Sequence, residues 1–302
     1  MSSGVKLFDA HCHLQDPRIH SIAPHLIRNA FHSGVLRFAI NGVSENDWRV
    51  VKEMAEQHPC LVPNFGLHPW YVAERTSNWF FSLREFFAST PSAAVGEIGL
   101  DKGSHGKTID FGEQVEVFQQ QLELAKELKR PASVHCVRAF GDLLEILKRL
   151  GPFPEGLIMH SYLGSAEMVP ELAKLGCYFS FSGFLSSMNL QKAKKMIRLV
   201  PLDRILVESD APDALPKFKS NFVSLVQENS SALQKLLGQS EKQSSESSDQ
   251  QNQELNHPAN IHSVLNYVSS LLEMPENELA EVTYRNAIRL FSFPGSKVYA
   301  EG

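Results

Sequence analysis

Close to its start, the chain contains the segment Leu7-Phe8-Asp9-Ala10-His11-Cys12-His13-Leu14, a short apolar run with two histidines near its end. In an extended strand, the side chains of residues i and i+2 point to the same side. His11 and His13 can therefore present two imidazole nitrogens to one point, as a metal ion requires. Pairs of this kind also occur at ordinary core and surface positions, so the meaning of this pair depends on the rest of the chain.

Beyond this segment, short apolar stretches alternate with longer amphipathic ones. Eight stretches predict strands, at residues 5–13, 35–43, 61–67, 93–98, 132–137, 156–159, 177–181 and 204–207. The stretches between them have helical periodicity, and two more helices are predicted at 264–272 and 276–291. This alternation predicts an α/β fold, a (β/α)8 TIM-type barrel. An open doubly wound sheet is the alternative, but no GxGxxG turn follows the first strand.

The composition changes between the eighth strand and the two closing helices. Residues 239–253 consist only of Ser, Gln, Glu, Asp, Asn and Lys. Such a stretch buries too little apolar surface to order itself. We therefore expect residues 239–255 to be a polar, disordered insertion within a single barrel that spans residues 1–302. The stretch before it, 221–237, has a helical pattern.

Charge and composition limit the classes of function. The formal net charge is −5, so attraction of a nucleic acid must be local. The four cysteines form no CxxC pair, which favours free thiols over a disulfide framework. The N-terminus lacks a secretory signal, and the chain lacks an apolar run of about 18 residues. These features predict a cytoplasmic or nuclear protein without a membrane partner; they predict no oligomeric state.

Potential metal ligands stand at the predicted ends of several strands. In a barrel of this type these ends lie on one rim, where functional groups collect. The candidates are His11, His13, His68, Glu97, His135, His160 and Asp210. Each alone has an ordinary explanation, such as a hydrogen-bonded histidine or a turn residue. However, chance would scatter the 12 histidines, and five of them stand at strand ends.

Imidazoles combined with carboxylates suit Zn²⁺, Mn²⁺ or Mg²⁺. So many ligands exceed one tetrahedral site but suit two ions, and a shared carboxylate would join ions about 3.5–4 Å apart. Glu97 is placed for that role. Two divalent ions carry four positive charges, of which Glu97, Asp210 and one hydroxide would cancel three. The remaining positive charge favours an anionic substrate such as a phosphodiester.

Taken together, these motifs resemble those of the TatD family of metal-dependent deoxyribonucleases, within the amidohydrolase-type metal-dependent hydrolases. The resemblance covers nearly the whole chain except the polar insertion. Its main motifs are Asp9-Ala-His-Cys-His13, Gly66-Leu-His-Pro69, Gly96-Glu-Ile-Gly-Leu-Asp101, His135, His160 and Glu208-Ser-Asp-Ala-Pro212.

The resemblance implies two divalent metal ions, Mg²⁺, Mn²⁺ or Zn²⁺, and an assignment of the ligands. His11 and His13 would hold one ion, His135 and His160 would hold the other, and Glu97 would be shared and take part in catalysis. It also implies DNA as substrate, hydrolysed by a two-metal-activated hydroxide, often exonucleolytically.

The remaining roles follow from the same resemblance. Asp210 would bind metal and act as general base, and His68 would lie near the substrate phosphate. Arg138 would contact phosphate, although family members commonly carry their basic residue one position earlier. The chain also departs from the family pattern at His160-Ser-Tyr-Leu-Gly164 and at Asn256-His257-Pro258, where a family carboxylate is missing.

Two other functions stay open. The same metal chemistry would serve an ester hydrolase, such as a D-aminoacyl-tRNA deacylase. A non-catalytic metal-binding scaffold, with the insertion as its interaction segment, is the alternative from a different class.

Overall fold

The computed structural model describes residues 5–217 and 254–298. Its strands form one sheet in chain order, and each neighbouring pair from the first to the eighth is parallel. They are β1 (Leu7–Cys12), β2 (Val35–Asn41), β3 (Leu61–Phe65), β4 (Ala94–Asp101), β5 (Ala132–Val137), β6 (Leu157–Met159), β7 (Cys177–Phe181) and β8 (Ile205–Val207). The predicted (β/α)8 barrel is confirmed.

Helices lie between successive strands and after the last one. They are α1 (Ala23–His32), α2 (Trp48–Gln57), α3 (Trp79–Ser89), α4 (Phe111–Leu128), α5 (Phe140–Leu150), α6 (Val169–Lys174), α7 (Leu190–Ile197), α8 (Ile261–Leu272) and α9 (Glu276–Phe291). Helix α4 shows how the sequence sets such an element. The Asp110 carboxylate accepts a hydrogen bond from the Glu113 backbone N–H at 2.9 Å, which caps the helix, and Lys129 ends it in the left-handed region, at φ 53°.

Strand β4 is longer than predicted. The apolar stretch predicted an end at Ile98, whereas the strand continues to Asp101. Its pairing with β5 shifts register between Val95 and Ile98. Gly96 and Gly99 have φ of 148° and 151°, a region that favours glycine, and this permits the irregular path. The extension carries Asp101 to the rim.

The apolar core has two parts. The larger part lies between the sheet and the surrounding helices, and it includes outward-facing strand residues such as Leu7 and Cys12. The smaller part contains Phe8 and Ala10 from β1 together with residues of α9 and the segment after it. The rings of Phe8 and Phe291 stack, with centroids 5.1 Å apart and planes 5° apart. The barrel interior at the N-terminal ends of the strands is therefore filled by apolar side chains.

Two predictions from the sequence concern residues that lie mostly outside the ranges that the structure describes. Of the predicted insertion 239–255, only Glu254 and Leu255 are described, and the predicted helical stretch 221–237 lies entirely outside the described residues. The extent of the single domain therefore stays a prediction. Within residues 5–217 and 254–298, no helix has the length and apolar character needed to cross a membrane.

Candidate metal centre

Glu97, at the rim end of β4, lies at the middle of the predicted ligand set. Its Oε2 atom is 3.4 Å from His11 Nε2 and 3.3 Å from His13 Nε2. The same two histidine nitrogens are 3.1 Å from each other. One carboxylate oxygen therefore faces the histidine pair of β1.

The other oxygen of Glu97 faces a second group of histidines. Glu97 Oε1 lies 3.1 Å from His135 Nδ1, 3.0 Å from His160 Nε2 and 3.3 Å from His68 Nε2. His135 Nδ1 and His160 Nε2 are 3.2 Å apart. The carboxylate thus joins two histidine groups, one to each of its oxygens, as the shared role requires.

Asp210 completes the set, because the segment after β8 closes against β1. Its Oδ1 atom is 3.9 Å from His11 Nε2 and 3.7 Å from His13 Nε2. The Asp210 backbone N–H donates to the His11 carbonyl oxygen at 3.0 Å. The neighbouring Ser209 donates from its backbone N–H to Asp9 Oδ1 at 2.8 Å and from its hydroxyl to Asp9 Oδ2 at 2.5 Å. These bonds hold the Asp210 carboxylate on the side of the β1 histidines.

Hydrogen bonds on the far side of the β1 histidine rings set which nitrogen faces the centre. His13 Nδ1 is 2.9 Å from the Asn41 carbonyl oxygen, which can only accept, so Nδ1 carries the proton. His11 Nδ1 is 2.8 Å from the Ser133 hydroxyl. Both rings therefore turn Nε2 towards Glu97, the arrangement that outer partners give to metal-binding histidines.

The second pair is oriented in the same manner by carboxylates. His135 Nε2 donates to Asp101 Oδ2 at 3.1 Å, and His160 Nδ1 lies 3.3 Å from Glu208 Oε1. Each ring therefore directs its other nitrogen towards Glu97. Zinc–nitrogen bonds of 2.0–2.1 Å place two ligand nitrogens of a tetrahedral site about 3.3 Å apart. The separations within both pairs, 3.1 and 3.2 Å, fit two ligands of one divalent ion each.

His68 differs from these four histidines. Its Nδ1 accepts a hydrogen bond from the Trp70 backbone N–H at 3.1 Å, so the neutral ring carries its proton on Nε2. That N–H faces Glu97, and no lone pair is free on this side for a metal. The bonding pattern supports a role next to the substrate phosphate, which stays a prediction.

At three of the histidines, facing carboxylates outweigh burial: they raise the pKa of His13 to about 9 and also raise the pKa of His135 and His160, so a metal ion would replace a proton on these rings. The facing His68, His160 and His11 hold the pKa of Glu97 well below its usual range although burial opposes ionisation. Burial lowers the pKa of both His11 and His68 to about 4. Burial raises the pKa of Asp210 to about 7. Glu97 is therefore ionised and His11 neutral at working pH, while Asp210 can exchange a proton near neutrality.

Arg138 lies one residue beyond β5, and its side chain is exposed. Its φ of 53° puts it in the left-handed region. In the part of the chain that the structure describes, no ion pair links Arg138 to the cluster. A contact with phosphate stays a prediction.

Sequence reasoning missed three participants, Asp101, Ser161 and Glu208. Glu208 Oε1 accepts from the Ser161 N–H at 2.7 Å and from its hydroxyl at 2.8 Å, and this hydroxyl is 3.3 Å from Asp210 Oδ2. A signal for Glu208 was available, because it precedes Asp210 by two residues, the spacing that singled out the β1 histidines. Asp101 ends the motif Gly96-Glu-Ile-Gly-Leu-Asp101 quoted above, but its role at the centre depends on the unpredicted extension of β4.

The barrel and this rim define a TIM-barrel metal-dependent hydrolase. The family model described as TatD related DNase matches residues 8–292. The chain belongs to this family, which confirms the resemblance seen in the sequence.

Several proteins share this sequence pattern. The metal-dependent hydrolase YabD of Bacillus subtilis is 29% identical over 286 residues, which cover 94% of this chain and 98% of that protein. The 3'-5' ssDNA/RNA exonuclease TatD of Erwinia tasmaniensis is 28% identical over 213 residues, or 70% and 82% of the two chains. The 3'-5' RNA nuclease TATDN2 of Homo sapiens is 35% identical over 158 residues, 51% of this chain and 20% of that protein.

Solved structures agree on the fold. The TatD homologue YjjV of Escherichia coli superposes with a TM-score of 0.77 at 24% identity, covering 96% of this chain and 99% of that chain. A TatD family hydrolase from Entamoeba histolytica gives a TM-score of 0.76 at 19% identity, with the same coverage.

Proposed function

We propose that the protein is a nuclease that hydrolyses phosphodiester bonds of DNA, exonucleolytically, with two divalent metal ions held on the barrel rim. One observation carries the proposal: the two oxygens of Glu97 face two histidine pairs whose nitrogens are 3.1 and 3.2 Å apart. His11 and His13 would hold one ion, and His135 and His160 the other. Mg²⁺, Mn²⁺ and Zn²⁺ all accept such ligands.

When bound, the ions would lower the pKa of water towards neutrality and stabilise negative charge at phosphorus. Asp210, whose Oδ1 lies 3.7 Å from His13 Nε2, would take the proton of the attacking water. The water oxygen would form a bond to phosphorus as the bond to the leaving sugar oxygen breaks, and that oxygen would take up a proton from solvent. The His68 Nε2 hydrogen, which faces Glu97 Oε1 at 3.3 Å, would turn to a phosphate oxygen when substrate binds.

The class of substrate is supported by the relatives. One is named as a 3'-5' exonuclease of single-stranded DNA and RNA, and another as a 3'-5' RNA nuclease. The formal net charge of −5 favours local recognition of a strand end over tracking along a duplex. We therefore propose an attack on strand ends with 3'→5' polarity.

The test uses the full chain freed of metal by a chelator and then supplied with Mg²⁺, Mn²⁺ or Zn²⁺. We expect a 5'-labelled linear oligodeoxynucleotide to be shortened stepwise from its 3' end. Asp210→Asn should remove this activity, whereas Glu171→Gln, an exposed carboxylate on α6, should retain it. Absence of cleavage with all three metals, or full activity of Asp210→Asn, would contradict the proposal. A D-aminoacyl-tRNA assayed in parallel identifies an ester hydrolase if it alone is cleaved.

A further inference from the structure

Next to the metal centre, two aromatic rings from different loops lie against each other at a tilt on the rim. Trp70 follows β3 and His105 follows β4, and their ring centroids are 4.6 Å apart with planes 32° apart. Trp70 is 37% exposed, and His105 is exposed as well. The hydrolysis proposed above uses neither side chain. We infer that this pair is a stacking site for an unpaired nucleobase beside the scissile phosphate; the inference rests on the proposed nuclease function.

The indole of Trp70 is held firmly in place. Its Nε1–H donates to Asp101 Oδ2 at 2.6 Å, and its backbone N–H donates to His68 Nδ1 at 3.1 Å. The ring also meets the His68 ring edge to face, with centroids 4.9 Å apart and planes 80° apart. A fixed ring loses little conformational entropy when a ligand stacks on it, so this exposed tryptophan is prepared for binding.

The loop that carries His105 is packed against the end of β4. Gln114 of α4 accepts from the Asp101 backbone N–H and donates to the Gly106 carbonyl oxygen, both at 2.9 Å. A Cβ atom at position 106 would lie 2.2 Å from the Asp101 carbonyl oxygen, so this approach requires glycine. The position of His105 is therefore set by the same residue, Asp101, that binds the indole.

Asp101 also places the pair close to the centre. Its Oδ2 atom accepts from Trp70 Nε1 and from His135 Nε2, so one oxygen joins the stacking ring to a proposed ligand. The rings of Trp70 and His135 have centroids 6.1 Å apart. A base stacked on this pair and a phosphate at the centre would therefore belong to the same or to neighbouring nucleotides.

The aromatic faces of this pair suit a nucleobase. Among the cations nearby, Lys102 is paired with Asp142 at 2.7 Å and lies over the Phe111 ring at 4.0 Å. Stacking on aromatic rings is tolerant of sequence, because every base has a π-face. A base inside a duplex is already stacked and paired, so this site selects unpaired ends.

The test compares three 5'-labelled substrates: a single-stranded oligonucleotide with a 3'-terminal thymidine, the same strand with an abasic 3' terminus, and the first strand in a blunt duplex. We expect kcat/KM of the native enzyme to be about tenfold higher for the base-bearing single strand than for the abasic one. The duplex should also be cleaved more slowly. Trp70→Leu should bring the ratio of base-bearing to abasic substrate close to one.

Matched variants separate stacking from positioning. Trp70→Phe keeps a ring but loses the hydrogen bond to Asp101, so it should keep the preference for a base even if kcat falls. Phe81→Leu removes an aromatic ring that is 60% exposed on α3, and it should not change the ratio. If Trp70→Leu does not fold, His105→Ala, a change at an exposed position, should lower the same ratio.

A native enzyme that cleaves base-bearing and abasic ends equally well would overturn the inference. So would a Trp70→Leu enzyme, or in its place His105→Ala, that keeps the full preference. Failure of the proposed function looks different, because the native chain would then cleave none of the three substrates with any metal.

Discussion

At the N-terminal ends of the strands, the barrel interior is filled by apolar side chains, with Phe8 stacked on Phe291. At the opposite ends it is lined by histidines and carboxylates, which converge on Glu97. Strand β1 contributes to both, since Phe8 lies in the apolar end and His11 in the polar one. Burying apolar surface stabilises a fold, whereas burying polar groups costs free energy unless they are paired or bind a ligand.

Along the same strands, the apolar end therefore stabilises the fold, whereas the polar end supplies the groups for chemistry. The apolar end needs only side chains of suitable shape, because dispersion and hydrophobic burial are not directional. At the polar end, individual atoms must lie at defined distances and angles, because hydrogen bonds and bonds to a metal ion are directional. Substitutions at the two ends should therefore differ in which property they change.

The largest effect is expected at the apolar end. Phe291→Ala removes a fully buried ring that stacks on Phe8, and should lower the free energy of unfolding by about 3–5 kcal/mol. Denaturant unfolding measures this loss. Metal content and turnover of the folded fraction should stay near those of the native protein, and a selective loss of metal would contradict the division between the two ends.

At the polar end, Glu97→Gln should show the reverse pattern. It removes the charge that two histidine pairs share. Loss of a hydrogen-bond partner of a metal ligand typically costs 10–100-fold in metal affinity or activity, so loss of the shared carboxylate should lower hydrolysis by more than about 100-fold. Activity assays with metal analysis would show the loss, while unfolding should change little. A variant with normal metal content and normal turnover would disprove the shared role.

A smaller effect on activity is expected from Asp101→Asn. Asparagine loses the negative charge, and if its oxygen accepts from His135 Nε2 and Trp70 Nε1, its NH2 group lies against the Gly103 N–H that now donates to Asp101 Oδ1. We expect a loss of about 10–100-fold in metal affinity or activity. Titration of metal-free protein with Zn²⁺ measures the affinity. Asp142→Asn, at an exposed carboxylate that pairs with Lys102, is the control and should bind metal normally.

The smallest effect concerns a histidine outside the metal centre. Burial lowers the pKa of His257 to about 4, and its Nδ1 accepts from the Ala259 N–H at 2.9 Å. Between pH 6.5 and 4, the unfolded chain therefore binds a proton that the folded chain does not. The stability from this residue is present above pH 6.5 and is lost as the pH falls towards 4.

From this shift we expect a loss of about 1 kcal/mol between pH 6.5 and 5.5. Asparagine can accept the same Ala259 N–H and does not titrate near these pH values, so His257→Asn should reduce the slope of stability with pH. Parallel urea unfolding of native and variant proteins checks this. Equal slopes would show that His257 is not a buried neutral histidine of this kind.

Much of the barrel could be predicted from the sequence, because the periods of strands and helices are local properties. Strands β5 and β7 and helix α9 have the predicted limits. The predicted end of β4 was wrong. The apolar run stops at Ile98, whereas the continuation of the strand to Asp101 depends on its pairing with β5. Asp101 was missed as a participant for the same reason. Glu208 was missed although its spacing from Asp210 could have indicated it.

By itself, the sequence determined the alternation of strands and helices and the family, because both depend on which residues follow one another. The tertiary structure alone decided which nitrogen of each histidine faces the centre. That choice depends on partners such as Ser133 and Asn41, which are 122 and 28 residues from the histidines that they orient. A hydrogen bond depends on distance and angle in space, and these exist only once the strands have closed into a barrel.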